Sequence, residues 1–433
     1  MANKIIQLGP KDQFYLDELG SRIMGGGLIA GLAALVLAAV LGAAMHDGWR
    51  QFLFSYLTAW LLFFVISASA LLFVLGHHLF RASWSVVVRR LAEAMSCNFI
   101  PLLVLTIPLL LGFHKIFIWT HYHYVHSDPN LINKISYLNI PFFMVRSAIY
   151  FAVLIGLSLY FRGMSVAQDQ DGSVARMLKL RQQAGWGFLA VFWIVNFAGV
   201  DYIMSLQPKW LSYMEPGFFL AGVGMAIYAV LPLVAMWLQR RGRLTNSITV
   251  EHYHDLGKWL YGWAMFWAYL GFAQYMLIWY ANVPKETTFF LVRCVGPWLF
   301  ITLALLFGHF IVPFFGLMSR HVKRNKALLA FWCVWLLFFG YLDLFWQVQP
   351  IVWVNTHAGL TAIVNSHDPY RLVGAVEKIV WKPLQPMALA LDVLCLVGVG
   401  GLWVAHTFYL LRRSALMPIR DPNLAEGLAL ENM

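Results

Sequence analysis

The sequence predicts an all-α integral membrane protein with about ten transmembrane helices, and three observations lead there. Of 433 residues, 61% are hydrophobic and only 12% charged, where soluble domains run near 45–50% and about 25%. Mean hydropathy is +0.68. Ten apolar runs, at approximately 24–44, 52–78, 96–117, 141–161, 184–203, 217–238, 258–280, 295–318, 327–350 and 387–411, each approach the roughly 20 residues that cross a hydrocarbon core of about 30 Å. No polar domain of any size stands outside them, so residues 1–433 read as a single membrane domain whose function lies in the spans or their short loops.

The first run, 24–44, is longer than a signal-peptide core. The preceding MANKIIQLGPKDQFYLDELGSR carries both charge signs, so it is expected to stay as a span. Its Gly25-Gly26-Gly27 reads as a close helix-packing surface. Runs two to nine carry a weak internal repeat, 52–203 and 217–350. FIWTHYHY…PFFMVR ends at Arg146, and LIWYANVP…TFFLVR ends at Arg293, sharing an Ile-Trp pair and a Phe-Phe-x-Val-Arg element. Two loops stand out for polarity. FRGMSVAQDQDGSVARMLKLRQQ (161–183) has turn chemistry at Asp171-Gly172. The segment 355–386 is long enough for an interfacial helix with Val373, Val376, Ile379 and Val380 on one face. Each is either a docking surface for partner subunits or a plain connector.

Basic residues set the expected orientation. With these spans, 21 of the 31 Lys and Arg fall on the side of both termini and 9 on the other, with Arg146 inside a span. The positive-inside rule then places both termini in the cytoplasm of a multi-pass protein of the bacterial inner membrane. The net charge of +11 is accounted for by this asymmetry, so membrane lipid rather than nucleic acid is the expected surrounding.

A charge deep in a span costs about 2.5–3.5 kcal/mol on insertion scales, so each needs a partner or a task. Arg146, Asp201, Asp343 and Asp392 fall in the half away from the termini and His309 near the midplane. His77, His78, Glu93 and His406 fall toward the termini. Histidine and desolvated carboxylates titrate in a range suited to passing protons between two half-channels. The plainer reading is that Arg146 pairs with an aspartate from a neighbouring span and the histidines bond across helices. Asp343 and Asp392 are expected at similar depths on successive spans, where two carboxylates share a proton more readily than both ionise.

Other chemistries find less support. Cys97, Cys294, Cys333 and Cys395 are isolated, without the spacing of iron–sulfur or c-type haem sites. His77, His309 and His406 differ in depth, which disfavours paired haem ligation. HYHYVH (121–126) could hold a cation, but aromatics and histidine also belt membrane interfaces. No cofactor is therefore expected on this chain.

Five stretches carry a family resemblance: WSVVVRRLAEAM (84–95), LNIPFFMVRSAIYF (138–151), NFAGVDYIMSLQPKW (196–210), HDLGKWLYGWAMFWAYLGFAQYMLIWYANVPKET (254–287) and YLDLFWQVQP (341–350). The chain resembles the ActF subunits of bacterial alternative complex III, within the wider NrfD/polysulfide-reductase-like membrane subunits. The match runs through spans two to nine. The resemblance implies two four-helix bundles plus two further helices. It also implies a respiratory complex that oxidises membrane quinol and passes electrons to cytochrome c or another acceptor. The implied partners are a paralogous NrfD-like subunit, an iron–sulfur subunit and c-type cytochrome subunits, which would carry the iron–sulfur clusters and haems. The implied role here is a proton pathway or conformational coupling without a redox cofactor of its own. Quinol binding in the same complex is one alternative, and a secondary transporter is an alternative of another class.

Overall fold

The computed structural model describes residues 12–126, 128–354 and 382–431. The expected interfacial helix bearing Val373, Val376, Ile379 and Val380 lies outside them. The described residues are helical throughout, with no strand beyond an isolated bridge between Gln13 and Arg243. In chain order the long helices are α1 (Asp17–Ala44), α2 (Arg50–Leu79), α3 (Ser83–Leu111, interrupted), α4 (Ile140–Asp171), α5 (Val174–Tyr202) and α6 (Glu215–Arg240), followed by α7 (Val250–Ala281), α8 (Pro297–Met318), α9 (Lys326–Val348) and α10 (Pro386–Leu411).

Among the described residues, nine of these are long and apolar enough to cross a membrane, which makes the chain a multi-pass membrane protein. The exception is α7, expected as the span 258–280. Its 32 residues are ample, but Trp259, Tyr261, Trp263, Tyr269, Gln274 and Tyr275 dilute its hydropathy with N–H and O–H groups. Two boundaries also differ from expectation. α3 starts at Ser83 rather than 96 and is broken near Asn98 and Thr106. Pro101 and Pro108 cannot supply backbone N–H groups there. Arg89, Arg90 and Glu93 therefore sit within the span, where mutual pairing makes their burial tolerable. The 161–183 loop is mostly helix, because α4 runs on to Asp171 and α5 starts at Val174. At about 1.5 Å per residue α4 is about 48 Å long, well beyond a bilayer core. The expected Asp171-Gly172 turn is present, with Gly172 at φ +62° closing α4.

α2 and α6 form the interior. The apolar window of α2 is 83% buried and that of α6 78%, against 22% for α1 and α8. α2 packs on α3, α5, α6 and α10, and α6 on α5, α7 and α9. A helix apolar on every side is stable only when surrounded. The outer helices turn Ile29, Val36, Val40, Phe300, Phe315 and Phe338 outward. α1 lies along α10 at backbone contact: a Cβ on Gly27 would stand 2.8 Å from the Gly401 carbonyl, and one on Gly31 2.9 Å from the Leu402 nitrogen. Of the expected glycine surface only Gly27 makes this approach; Gly25 and Gly26 face open space.

Both termini meet on one face. Leu416 N–H donates to the Phe14 carbonyl (2.8 Å). Asp12 accepts from Asn246 (2.9 Å) and Ser247 (2.8 Å) in the α6–α7 turn. Past α10 a short helix, Leu424–Leu428, closes over the α2–α3 turn, and His252 bonds the Gly427 carbonyl (3.0 Å). Burial pushes the His252 imidazole below its usual range, only partly offset by that carbonyl.

Candidate functional site

The polar residues inside the helices fall into groups of different character. In the half away from the termini, α4 begins with Asn139 accepting from the Phe142 N–H, which places Arg146 two turns into the helix. Asp201 lies one residue from the end of α5. Arg146 Nε donates to Asp201 Oδ2 (2.9 Å) and Nη2 to Oδ1 (2.8 Å), the expected pair in bidentate form. Tyr150 donates to Asp201 (2.7 Å), the Tyr137 carbonyl accepts from Arg146 (3.0 Å), and the guanidinium lies 3.9 Å from the Tyr137 ring centroid. Every charge here is answered.

The second group is less complete. Asp343, on α9 and 4% exposed, accepts from Trp267 Nε1 (3.2 Å) and Gln347 Nε2 (3.0 Å) through Oδ2, while Oδ1 has no protein partner. His309 stacks on the same Trp267 at 4.0 Å between ring centroids, and neither of its nitrogens has a partner. It sits in a π-helical turn, Leu305–Ile311, within α8, a local widening frequent at functional sites. His309 and Asp343 both line a cavity of about 30 Å³ between α2, α6, α8 and α9.

Asp392 lies nearly two turns into α10 and accepts from Gln349 Nε2 (3.2 Å), leaving Oδ2 unpartnered. Gln349 accepts in turn from Gln51 Nε2 (3.1 Å), which also reaches Ser55 (3.3 Å). The expectation that Asp343 and Asp392 share a proton directly is not met: among the described residues no hydrogen bond joins them. Asp343 is held toward α7 by Trp267 and Asp392 toward α2 through Gln349, so each carboxylate has its own environment.

Toward the termini face, His406 bonds Asn98 Oδ1 (3.0 Å), and Asn98 donates to Thr407 (2.7 Å). His77 bonds the Phe73 carbonyl (2.8 Å) and packs on Trp84, while His78 keeps an unpartnered Nε2. Glu93 lies 3.0 Å from Arg90 Nε and 3.4 Å from Arg89 Nε. Arg90 also pairs with Asp169 (2.8 Å) and Arg89 with Asp421 of the C-terminal segment. Glu93 is thus one member of an ion-pair cluster that ties α3 to α4 and to the tail.

Sequence reasoning missed several buried charges, Arg89, Arg90 and Arg162 among them, and two stand out for their surroundings. Glu215 opens α6, fully buried, and accepts from Gln274 Nε2 (2.9 Å) through one oxygen only. Arg293, also fully buried, has no carboxylate of the described residues within 4 Å; it donates to the carbonyls of Phe289 (2.9 Å), Trp346 (3.0 Å) and Gln347 (2.7 Å), with Phe289 3.6 Å beneath it. Both stood in loops under the expected boundaries, although the Arg146/Arg293 repeat was a signal for the second. Of the cysteines, all free, Cys97, Cys333 and Cys395 are buried. The 121–126 histidines are exposed, His126 stacking on Tyr122 at 3.8 Å, and among the described residues no three ligand-type side chains converge on a metal position. No protein-family model matches the chain, and comparison with curated proteins gives no match.

Proposed function

We propose that the chain is a non-haem, NrfD-like subunit of a respiratory quinol:cytochrome c, or other quinol:acceptor, oxidoreductase in the bacterial inner membrane, with both termini cytoplasmic. Its contribution is a proton path or a conformational coupling element, without a redox cofactor of its own. One observation carries the proton reading: Asp343 and His309 are buried against the same Trp267 ring with polar atoms uncommitted to any protein partner. Burying such groups is costly unless a proton, water or ligand answers them. Glu215, Asp392 and Gln349 lie in the same half of the helices, and His406, His77 and His78 in the other. The resemblance to ActF in spans two to nine supplies the complex, and the 21-to-9 basic asymmetry supplies the orientation.

Quinol binding in the same complex is the alternative reading. Affinity purification of the tagged chain from native membranes tests the assignment. Co-elution with multihaem c-type cytochrome and iron–sulfur subunits is expected; recovery as a lone polypeptide that catalyses solute exchange in vesicles would replace it with a transporter.

A further inference from the structure

The end of α2 on the termini face reaches the edge of a bilayer. Its 30 residues, Arg50–Leu79, are about 45 Å long at about 1.5 Å each, the thickness of a bilayer counted with its headgroups. Leu79 and Phe80, 39% and 65% exposed, thus stand where acyl chains give way to headgroups. The next residue, Arg81, is exposed at φ +54°. Glycine adopts that left-handed conformation more easily, so the turn itself does not call for a side chain.

A second cation arrives beside it from α5, which runs antiparallel to α2. A Cβ on Gly187 would lie 2.9 Å from Leu75, one on Gly76 3.5 Å from the Phe188 ring, and one on Gly185 3.8 Å from Leu79. Each step toward the end of α2 is therefore a step back along α5. In this register Arg81, two residues past Leu79, comes level with Arg181, one turn before Gly185 and on the same face of α5. The Arg181 charge also acts on His78, three residues before Arg81.

Among the described residues neither arginine side chain has a hydrogen bond or an ion pair. The acids of the neighbouring elements are engaged elsewhere: Glu93, Asp169 and Asp421 with Arg89 and Arg90, and Asp171 with Arg176. Glu426 of the short C-terminal helix pairs with neither. Two unanswered guanidinium groups, each a fork of donors suited to phosphate oxygens, adjoin apolar side chains turned to the membrane. Trp186, 77% exposed one residue past Gly185, is of the type that settles at this boundary.

We propose that Arg81 and Arg181 bind the phosphate of an anionic phospholipid of the leaflet on the termini side, with its acyl chains against Leu79 and Phe80. A headgroup of net negative charge is favoured over a zwitterionic one, because the latter brings its own cation to a place that already holds two. The site rests on the chain's being a membrane protein and not on its role in quinol oxidation.

Native mass spectrometry of the purified full-length protein, with the subunits that accompany it, tests this by titrating delipidated samples with phosphatidylglycerol or phosphatidylcholine. Phosphatidylglycerol should bind about 25-fold more tightly, about fivefold for each arginine near the surface. Arg81→Gln/Arg181→Gln should remove that preference. Arg240→Gln/Arg241→Gln, which takes two exposed charges from the end of α6 on the same face, should keep it. Should the first pair not fold, Arg81→Gly removes one cation at a backbone position glycine prefers, and the preference should fall about fivefold. Equal binding of the two lipids by the wild type overturns the proposal, as does a preference that survives the loss of Arg81 and Arg181. Equal losses in the two double variants would also overturn it, by showing only the general charge of the face. Displacement of phosphatidylglycerol by inorganic phosphate would show a site for free anions and overturn the lipid assignment. Loss of proton coupling with the lipid preference intact would bear on the proposed function alone.

Discussion

Arg146 and Arg293 end matching stretches of sequence, yet they are stabilised by different means. Arg146 meets Asp201 in a two-pronged ion pair, closed further by Tyr150 and the Tyr137 carbonyl. Among the described residues Arg293 meets backbone carbonyls, the Gln207 amide oxygen and two aromatic rings, and the acids of its half, Glu215 and Asp343, are each left with an oxygen unpartnered. The first half thus spends its buried charges on holding α4 to α5. The second keeps acids that are partly uncommitted, beside a histidine in a π-helical turn. A buried carboxylate already locked to arginine has little freedom to take up and release a proton, whereas one bonded through a single oxygen retains it.

Substitutions can sharpen or break this contrast, and the largest effect is expected in the closed half. Arg146→Ala leaves Asp201 as a buried, uncompensated charge and should destabilise the protein by about 3–5 kcal/mol. Denaturant titration in detergent would measure it, and a loss within error would show that water already serves Asp201. Next, Arg293→Leu strips donors from three buried carbonyls, at about 1–3 kcal/mol for an unsatisfied group. Because no carboxylate is abandoned, its cost in the same titration should stay below that of Arg146→Ala; the reverse order would mean that Glu215 is the true counter-ion. Asp343→Asn keeps an acceptor for Trp267 or Gln347 and should change stability by no more than about 1.5 kcal/mol, the scale of one net hydrogen bond. A collapse of the fold would class Asp343 with Asp201 as structural. Smallest of all, Arg22→Ala removes a pair with Glu18 whose side chains are 79% and 87% exposed, and no measurable change is expected.

Much of this architecture was legible in the sequence because hydrophobic length is a strong signal. The positions of the long helices follow from it, while the Asp171-Gly172 turn follows from its turn chemistry and an aspartate partner for Arg146 from the cost of an unpaired charge in a span. Helix ends carry less information. The charges Arg89, Arg90 and Glu93 read as the edge of a loop, but their mutual pairing lets α3 begin at Ser83 rather than 96. Glu215 and Arg293 were hidden for the same reason. Gln51 and Gln349 were hidden differently: a neutral amide does not stand out by charge, and its importance lies in a partner 298 residues away. The separation of Asp343 from Asp392 was equally out of reach, since depth along a helix fixes how far in a side chain sits but not which neighbour it faces.

The central claim is that the uncommitted acids of the second half carry protons while the closed pair of the first holds the fold. Its most direct test is the number of protons moved per quinol oxidised by the intact complex in proteoliposomes, compared between wild type and Asp343→Asn at matched assembly. The account predicts that Asp343→Asn assembles with its partners and moves fewer protons per quinol. An assembled Asp343→Asn complex with unchanged stoichiometry would contradict it and leave this chain a scaffold.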